Sequence, residues 1–278
     1  MVKKNKPKKI LVAVAPVGRN IKPPSVNPLT PDDVAKEVIA CADAGAGMVH
    51  LHVRNSRGEQ TEDITEFSKT LDIIRQSSDI IIQGSTGGLT ELTLEERCVA
   101  LNDHRVEVAS LNMGSVNFGE EVYINRLPDI RYWARRMAET NAVPELEIFA
   151  AGMIPTYMKL VEEKVLTPPY SINFCLGFHW ALPANPETLF FMKTILPEKN
   201  VPWGVIHDGM NDLALLATAI GMGASIVRVG FEDSPFYAPG KAANKNPELV
   251  ERVVSLTQHI GYDVASAEEA REMLQLSN

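Results

Sequence analysis

The chain is short of the features that mark several large protein classes. It has three cysteines, Cys41, Cys98 and Cys175, in 278 residues, and none forms a Cys-x-x-Cys pair. That argues against a disulfide framework or a thiolate metal knuckle and fits buried thiols in a reducing cytoplasm. No apolar run approaches the ~18 residues that suggest a membrane span. Basic charge is not in excess: 27 Lys and Arg stand against 35 Asp and Glu, for a net charge of −8. A general nucleic-acid binder is therefore not expected, although a local basic pocket for an anionic ligand is compatible with this balance. Low-complexity tracts, internal repeats and a domain break are all missing, so residues 1–278 are expected to form a single domain with a short basic N-terminal arm. The apolar stretch after that arm is short and runs into Arg19 without a small-residue cleavage site, so it reads as a first strand and not as a signal peptide.

What is present is a regular alternation. With 45% hydrophobic residues the chain has a sizeable core to build. Strand-like runs at 9–16, 47–53, 79–85, 106–112, 145–150, 171–177, 202–208 and 225–233 alternate with helix-like segments. The first helix, 30–46, has Thr30 as N-cap and Pro31 at its first position. Thr93 and Glu96 are spaced as a capping box ahead of a helical 93–101. Further helices are expected at 62–77, 121–141, 153–163, 185–196, 211–220 and 247–261. Eight strand–helix units in a chain of this size predict an α/β fold, a (β/α)8 TIM barrel, for which ~250 residues are typical. The competing architecture is an open doubly wound sheet, but no glycine fingerprint follows the first strand to support a dinucleotide fold.

In such a barrel the chemistry sits at the C-terminal strand ends. "GMVHLHVRN" at the second strand places His50 and His52 two residues apart, hence on one face. Closure puts the eighth strand beside the first and the first beside the second, so Glu232 can approach the pair. Two imidazoles and a carboxylate suit Zn2+ with a position left open, as catalytic zinc sites have. The competing reading is a pair of hydrogen-bonded core histidines. Arg228 reads either as a structural ion pair, with Glu147 as a candidate partner, or as a clamp for a substrate carboxylate. Asp233 reads as a support for the ligand beside it or as a general base. "STGG" offers Ser85, Thr86 and the unhindered backbone of Gly87 and Gly88 to a carboxylate or phosphate. His207 reads as a cofactor contact or a hydrogen-bonded rim residue, with a third metal ligand as the other possibility. His104 and His259 read as solvated. A metal-dependent amidohydrolase also uses His-x-His and an eighth-strand acid, but on the first strand and with further histidines on the fifth and sixth. A non-catalytic metal- or ligand-binding barrel would need no base at Asp233.

Read together, "AGAGMVHLHVRN", "IIIQGSTGG", "ASLNMGSVNFG", "VPELEIFAAGM" and "VRVGFEDSPFY" resemble, in order and spacing, the β-keto acid cleavage enzymes over nearly the whole chain. The resemblance implies a zinc-dependent barrel that condenses a β-keto acid with acetyl-CoA to give acetoacetate and a new acyl-CoA. It implies zinc on His50, His52 and Glu232, with Asp233 as base and Arg228 acting on the reacting substrate. Ser85 and the Gly87–Gly88 turn would bind the substrate carboxylate, and Ser110 would line the site. Glu147 joins the catalytic group, and Thr86, Asn112 and Arg19 the substrate-binding group. Members that act on amino-bearing keto acids carry an acidic residue near the end of the first strand. Here "PVGRNIKPP" has Arg19 and Lys22 instead, which favours a neutral or anionic tail. The expected partners are small molecules and further copies of the chain, as a cytoplasmic dimer or tetramer, with no nucleic acid and no membrane.

Overall fold

Runs of four to seven β-branched and aliphatic residues form eight strands: β1 Lys9–Val14, β2 Met48–Leu51, β3 Ile81–Gly84, β4 Val106–Asn112, β5 Val143–Ile148, β6 Ser171–Leu176, β7 Trp203–His207 and β8 Ile226–Val229. The computed structural model describes residues 8–19, 21–88, 91–197 and 200–276. Each strand pairs in parallel with its neighbours in chain order, and β1 pairs with β8 through Leu11–Ile226 to Val14–Val229. The sheet is thereby closed into a (β/α)8 barrel, and the open-sheet alternative is excluded.

Helices α1 Pro31–Asp43, α2 Thr65–Arg75, α3 Leu127–Thr140, α4 Met153–Glu162, α5 Pro186–Ile195, α6 Ala214–Gly221 and α7 Asn246–His259 lie between or after the strands. The start of α1 follows its sequence signals, for the Thr30 hydroxyl accepts from Asp33 N at 3.2 Å and Pro31 opens the helix. Thr93 and Glu96 do cap each other. The segment that follows is a 3-10 helix, Glu96–Asn102, broken at Cys98. A further helix, α8 Ala267–Leu274, lies beyond the predicted closing helix. Among the described residues no helix is long and apolar enough to cross a membrane.

The expectation of one helix over 121–141 fails. Val116–Phe118 and Glu121–Tyr123 form an antiparallel hairpin, and α3 begins at Leu127. Pro128 has no N–H and crowds the preceding turn, so a helix can start beside it but cannot run through it. The eighth strand is also shorter than 225–233. It stops at Val229, and Gly230 turns the chain with φ +135°. A Cβ at Gly230 would lie 2.3 Å from the Ala15 carbonyl oxygen, so the loop leaving β8 presses directly on the end of β1.

Inside the barrel, composition changes with height. Leu11, Ala13, Met48, Ile81, Val108 and Ile226 fill the lower end, which Ala270 and Leu274 of α8 close. Above them the inward positions become polar, with His50, Gln83, Ser110, Glu145, Asn173 and Arg228 all buried. The outward strand residues form a separate apolar layer against the helices.

Buried Asn246, at the head of α7, ties the loop after β8 into this frame. Its Oδ1 accepts from Phe231 N at 2.9 Å, while its Nδ2 donates to Pro16 O and Glu37 Oε1, each at 3.1 Å. Asn246→Ala would leave Phe231 N and Pro16 O without this partner, while Glu37 Oε1 keeps the backbone N–H of residue 246, and should cost roughly 2–4 kcal/mol. Urea unfolding checks this, and a loss below ~1 kcal/mol would show that the loop is held by other contacts.

Candidate active site

Successive inward residues of β2 and its extension bring His50, His52 and Arg54 to one side of the barrel mouth. His50 Nε2 lies 3.5 Å from Glu232 Oε1, and His52 Nε2 lies 3.5 Å from Glu232 Oε2. One ligand atom from each of the three residues falls within 4.8 Å of the others, and among the described residues this is the one such cluster of three or more His, Cys, Asp and Glu. The far side of each ring is also engaged. His50 Nδ1 is 2.7 Å from Gln83 Oε1, whereas His52 Nδ1 is 2.6 Å from Gln60 Nε2 and accepts from it, which places the His52 ring proton on Nε2 toward Glu232, a proton that a metal would displace.

Burial lowers the His50 pKa to about 3 against the pull of Glu232, so this imidazole is neutral near pH 7. With Nδ1–H donated to Gln83, the lone pair of Nε2 faces a carboxylate oxygen across 3.5 Å. Two electron-rich atoms converging in a buried site fit a cation between them, so the donor set suits a divalent metal.

Glu232 and Asp233 project from the loop after Gly230. Arg228 binds Asp233 through two parallel contacts, Nε to Oδ2 at 2.9 Å and Nη2 to Oδ1 at 2.5 Å, and reaches Glu232 Oε1 at 3.4 Å. Its direct partner is therefore Asp233, not Glu147 as the ion-pair reading had it. Burial opposes the charge on Arg228, but Asp233 and Glu232 outweigh it and keep the guanidinium ionised. Burial likewise opposes the Glu232 charge, yet the neighbouring imidazoles and Arg228 hold its pKa well below the usual carboxylate range. Asp233 goes the other way, since burial raises its pKa more than Arg228 lowers it. Burial also drives Glu147 up, to about 8. The Arg228 Nη1 is buried without a hydrogen-bond partner, which leaves its two N–H groups for a ligand.

These groups line a cavity of about 540 Å³ at the C-terminal mouth of the barrel. Arg19, Ser85, Gly87, Gly88 and Glu147 line it, as do the two histidines, Arg228, Glu232 and Asp233. Thr86, Ser110 and Asn112 stand behind its wall instead. The Thr86 hydroxyl donates to Ser110 O at 2.6 Å, and Asn112 Oδ1 accepts from Gly114 N at 3.1 Å. The Gly-Gly turn has a packing reason of its own, because a Cβ at Gly87 would meet the Tyr123 hydroxyl at 2.0 Å. His207 ends β7 outside this lining, and His104, His179 and His259 are exposed. The further inward histidines that an amidohydrolase needs are thus not at the site among the described residues.

Several lining groups escaped the sequence reading. Arg54 continues the His50–His52 face, and the two-residue spacing of "HLHVR" was sufficient to find it. Phe118, Phe149 and Phe178 form an aromatic wall, with ring centroids 5.0 Å apart for Phe149–Phe178 and 5.1 Å for Phe118–Phe178. They come from the hairpin after β4 and from the ends of β5 and β6, so no local pattern joins them. Asp208, just past β7, also lines the cavity, and burial beside Asp233 raises its pKa to about 6.

Comparison with known proteins agrees with this architecture. The beta-keto acid cleavage enzyme family matches residues 9–276. The 3-keto-5-aminohexanoate cleavage enzyme of Fusobacterium nucleatum is 37% identical over 251 residues, covering 90% of each chain. The 3-oxoadipate:acetyl-CoA acetyltransferase of Cupriavidus necator is 31% identical over 259 residues, covering 90% of this chain and 89% of the relative. Among solved structures, the binary complex of ObcA with oxaloacetate superposes with a TM-score of 0.76 at 18% identity, over 91% of this chain and 68% of ObcA, a likeness of fold. The match runs nearly end to end and agrees with the barrel described above, and the chain belongs to the β-keto acid cleavage enzyme family.

Proposed function

We propose that the chain transfers an acyl group between a β-keto acid and acetyl-CoA, giving acetoacetate and a new acyl-CoA. The observation that carries this reading is one constellation: His50, His52 and Glu232 converging beside Asp233, which Arg228 grips from behind. Zinc held by the two histidines and Glu232 would supply Lewis-acid charge to stabilise the enolate of the substrate.

The chain's own residues account for the rest. Asp233 takes the proton from C2 of the keto acid, and its burial-raised pKa makes it a better base than an exposed aspartate. Arg228 orients that carboxylate and keeps Nη1 for the substrate. Ser85 and the backbone of the Gly87–Gly88 turn receive the substrate carboxylate. The C2 carbanion attacks the acetyl carbonyl and CoA leaves as thiolate. The thiolate then adds to the original ketone. The bond between that carbon and C2 breaks, and the acetoacetate carbanion recovers the proton from Asp233. The relatives' names bear on the tail: one bears an amine and another a second carboxylate. Here Arg19, Lys22 and Arg54 line the cavity, which favours a neutral or anionic tail.

One experiment tests route and tail together. Acetyl-CoA carrying carbon-13 in both acetyl carbons is supplied with a panel of β-keto acids, and the products are followed by NMR. Label should appear only at C3 and C4 of acetoacetate. Neutral and carboxylate tails should show the higher kcat/KM. Label in free acetate, with the keto acid simply hydrolysed, would remove acyl transfer from consideration. Preference for an ammonium tail would overturn the reading of Arg19 and Lys22.

A further inference from the structure

Below the cavity floor lies a layer of polar atoms without hydrogen-bond partners. Gln83 Nε2, both Glu145 carboxyl oxygens, and Nδ2 and Oδ1 of Asn173 are all buried and unpaired. They come from β3, β5 and β6, and each of these side chains faces the barrel interior. None touches the cavity. Unpaired buried groups each cost about 1–3 kcal/mol, so a cluster of them calls for a reason.

The groups are ordered in space. Gln83 Oε1 lies against His50 Nδ1 at 2.7 Å, which turns its amide nitrogen away from the histidine. Gln83 and Asn173 are the two side chains that act on the Glu145 carboxyl as hydrogen-bonding groups. Burial raises the Glu145 pKa against their pull. A neutral carboxyl has one acceptor oxygen to offer Gln83 and one O–H to offer Asn173 Oδ1.

We infer that Glu145 is a positioning residue for the metal centre, acting through Gln83: His50 Nδ1–H donates to Gln83 Oε1, Gln83 Nε2–H to the Glu145 carbonyl oxygen, and Glu145 O–H to Asn173 Oδ1. The chain runs in one direction. It fixes the Gln83 amide, which fixes the His50 tautomer and leaves the Nε2 lone pair for metal. A flipped Gln83 would present N–H to His50 Nδ1 and select the wrong tautomer. Hydrogen-bond partners behind a metal-bound histidine commonly govern affinity by ~10–100-fold, and here the partner is two side chains deep. The inference rests on the metal reading of His50, His52 and Glu232.

The test uses full-length protein stripped by chelator and titrated with Co2+, whose visible absorption reports binding and geometry independently of turnover. Glu145→Leu should weaken binding by ~10–100-fold. Glu145→Gln keeps one acceptor and one donor and should bind nearly as wild type. Gln83→Leu should weaken binding to a similar degree, and adding Glu145→Leu to it should cost nothing more. Glu145→Asp, which withdraws the carboxyl by one methylene, serves if the leucine variant does not fold, and it should also bind more weakly. Wild-type affinity in Glu145→Leu or Glu145→Asp, or a full further loss in the double variant, overturns the relay. A wild-type protein that binds no Co2+ overturns the metal reading itself, a different result from a relay that fails.

Discussion

Replacing His50 with alanine is expected to cut bound metal to a trace and acetoacetate formation to background. His50 is almost wholly buried, at 3% exposure, and among the described residues it is one of three side chains that converge there with ligand atoms. Neither Gln60 nor Gln83 can substitute, because both lie on the Nδ1 sides of the rings. Losing a ligand should exceed the ~10–100-fold penalty typical of losing a hydrogen-bond partner behind one. Elemental analysis of protein purified without added metal measures the effect. Sub-stoichiometric metal in the wild type that falls no further in the variant would count against the site.

Asp233→Asn should lower turnover by ~10²-fold or more while metal content stays unchanged. Asparagine keeps the shape of aspartate and can accept one of the two Arg228 hydrogen bonds through Oδ1, but it cannot take a proton from carbon. Steady-state kinetics and metal analysis on the same preparation separate base from ligand. Turnover and metal falling together would make Asp233 a support for Glu232.

How much of this was legible beforehand depended on whether the signal was local. The barrel was legible because eight apolar runs and their intervening helices each announce themselves within about ten residues. His50 and His52 were legible because the strand period of two places them together. Gln83 carried the same signal, as the one polar residue in "IIIQG" and two positions before Ser85, yet nothing in the chain says that its amide meets a histidine. The helix expected over 121–141 takes in the second hairpin strand, Glu121–Tyr123, because "EVYINRLPDIRYWARR" looks helical throughout. Tertiary contacts decided otherwise, as Phe118 and Tyr123 join the ring cluster around Phe149. Arg228 offered two partners to the sequence. Its actual one is five residues away and became reachable only because Gly230 ends the strand early.

The pairing of β1 with β8 has a consequence for how the protein is made. The three proposed metal ligands come from β2 with its extension and from beyond β8, on opposite flanks of β1, so they cannot meet until residue 232 has left the ribosome. Until then β1 presents an open edge with unpaired backbone groups, the kind of surface that recruits other strands. On the proposed ligand set, a metal would not act as an early nucleus for this fold and would stabilise the finished ring. A chain that stops before residue 226 keeps both histidines but lacks Glu232, Asp233 and the strand that covers that edge, and aggregation is its natural fate.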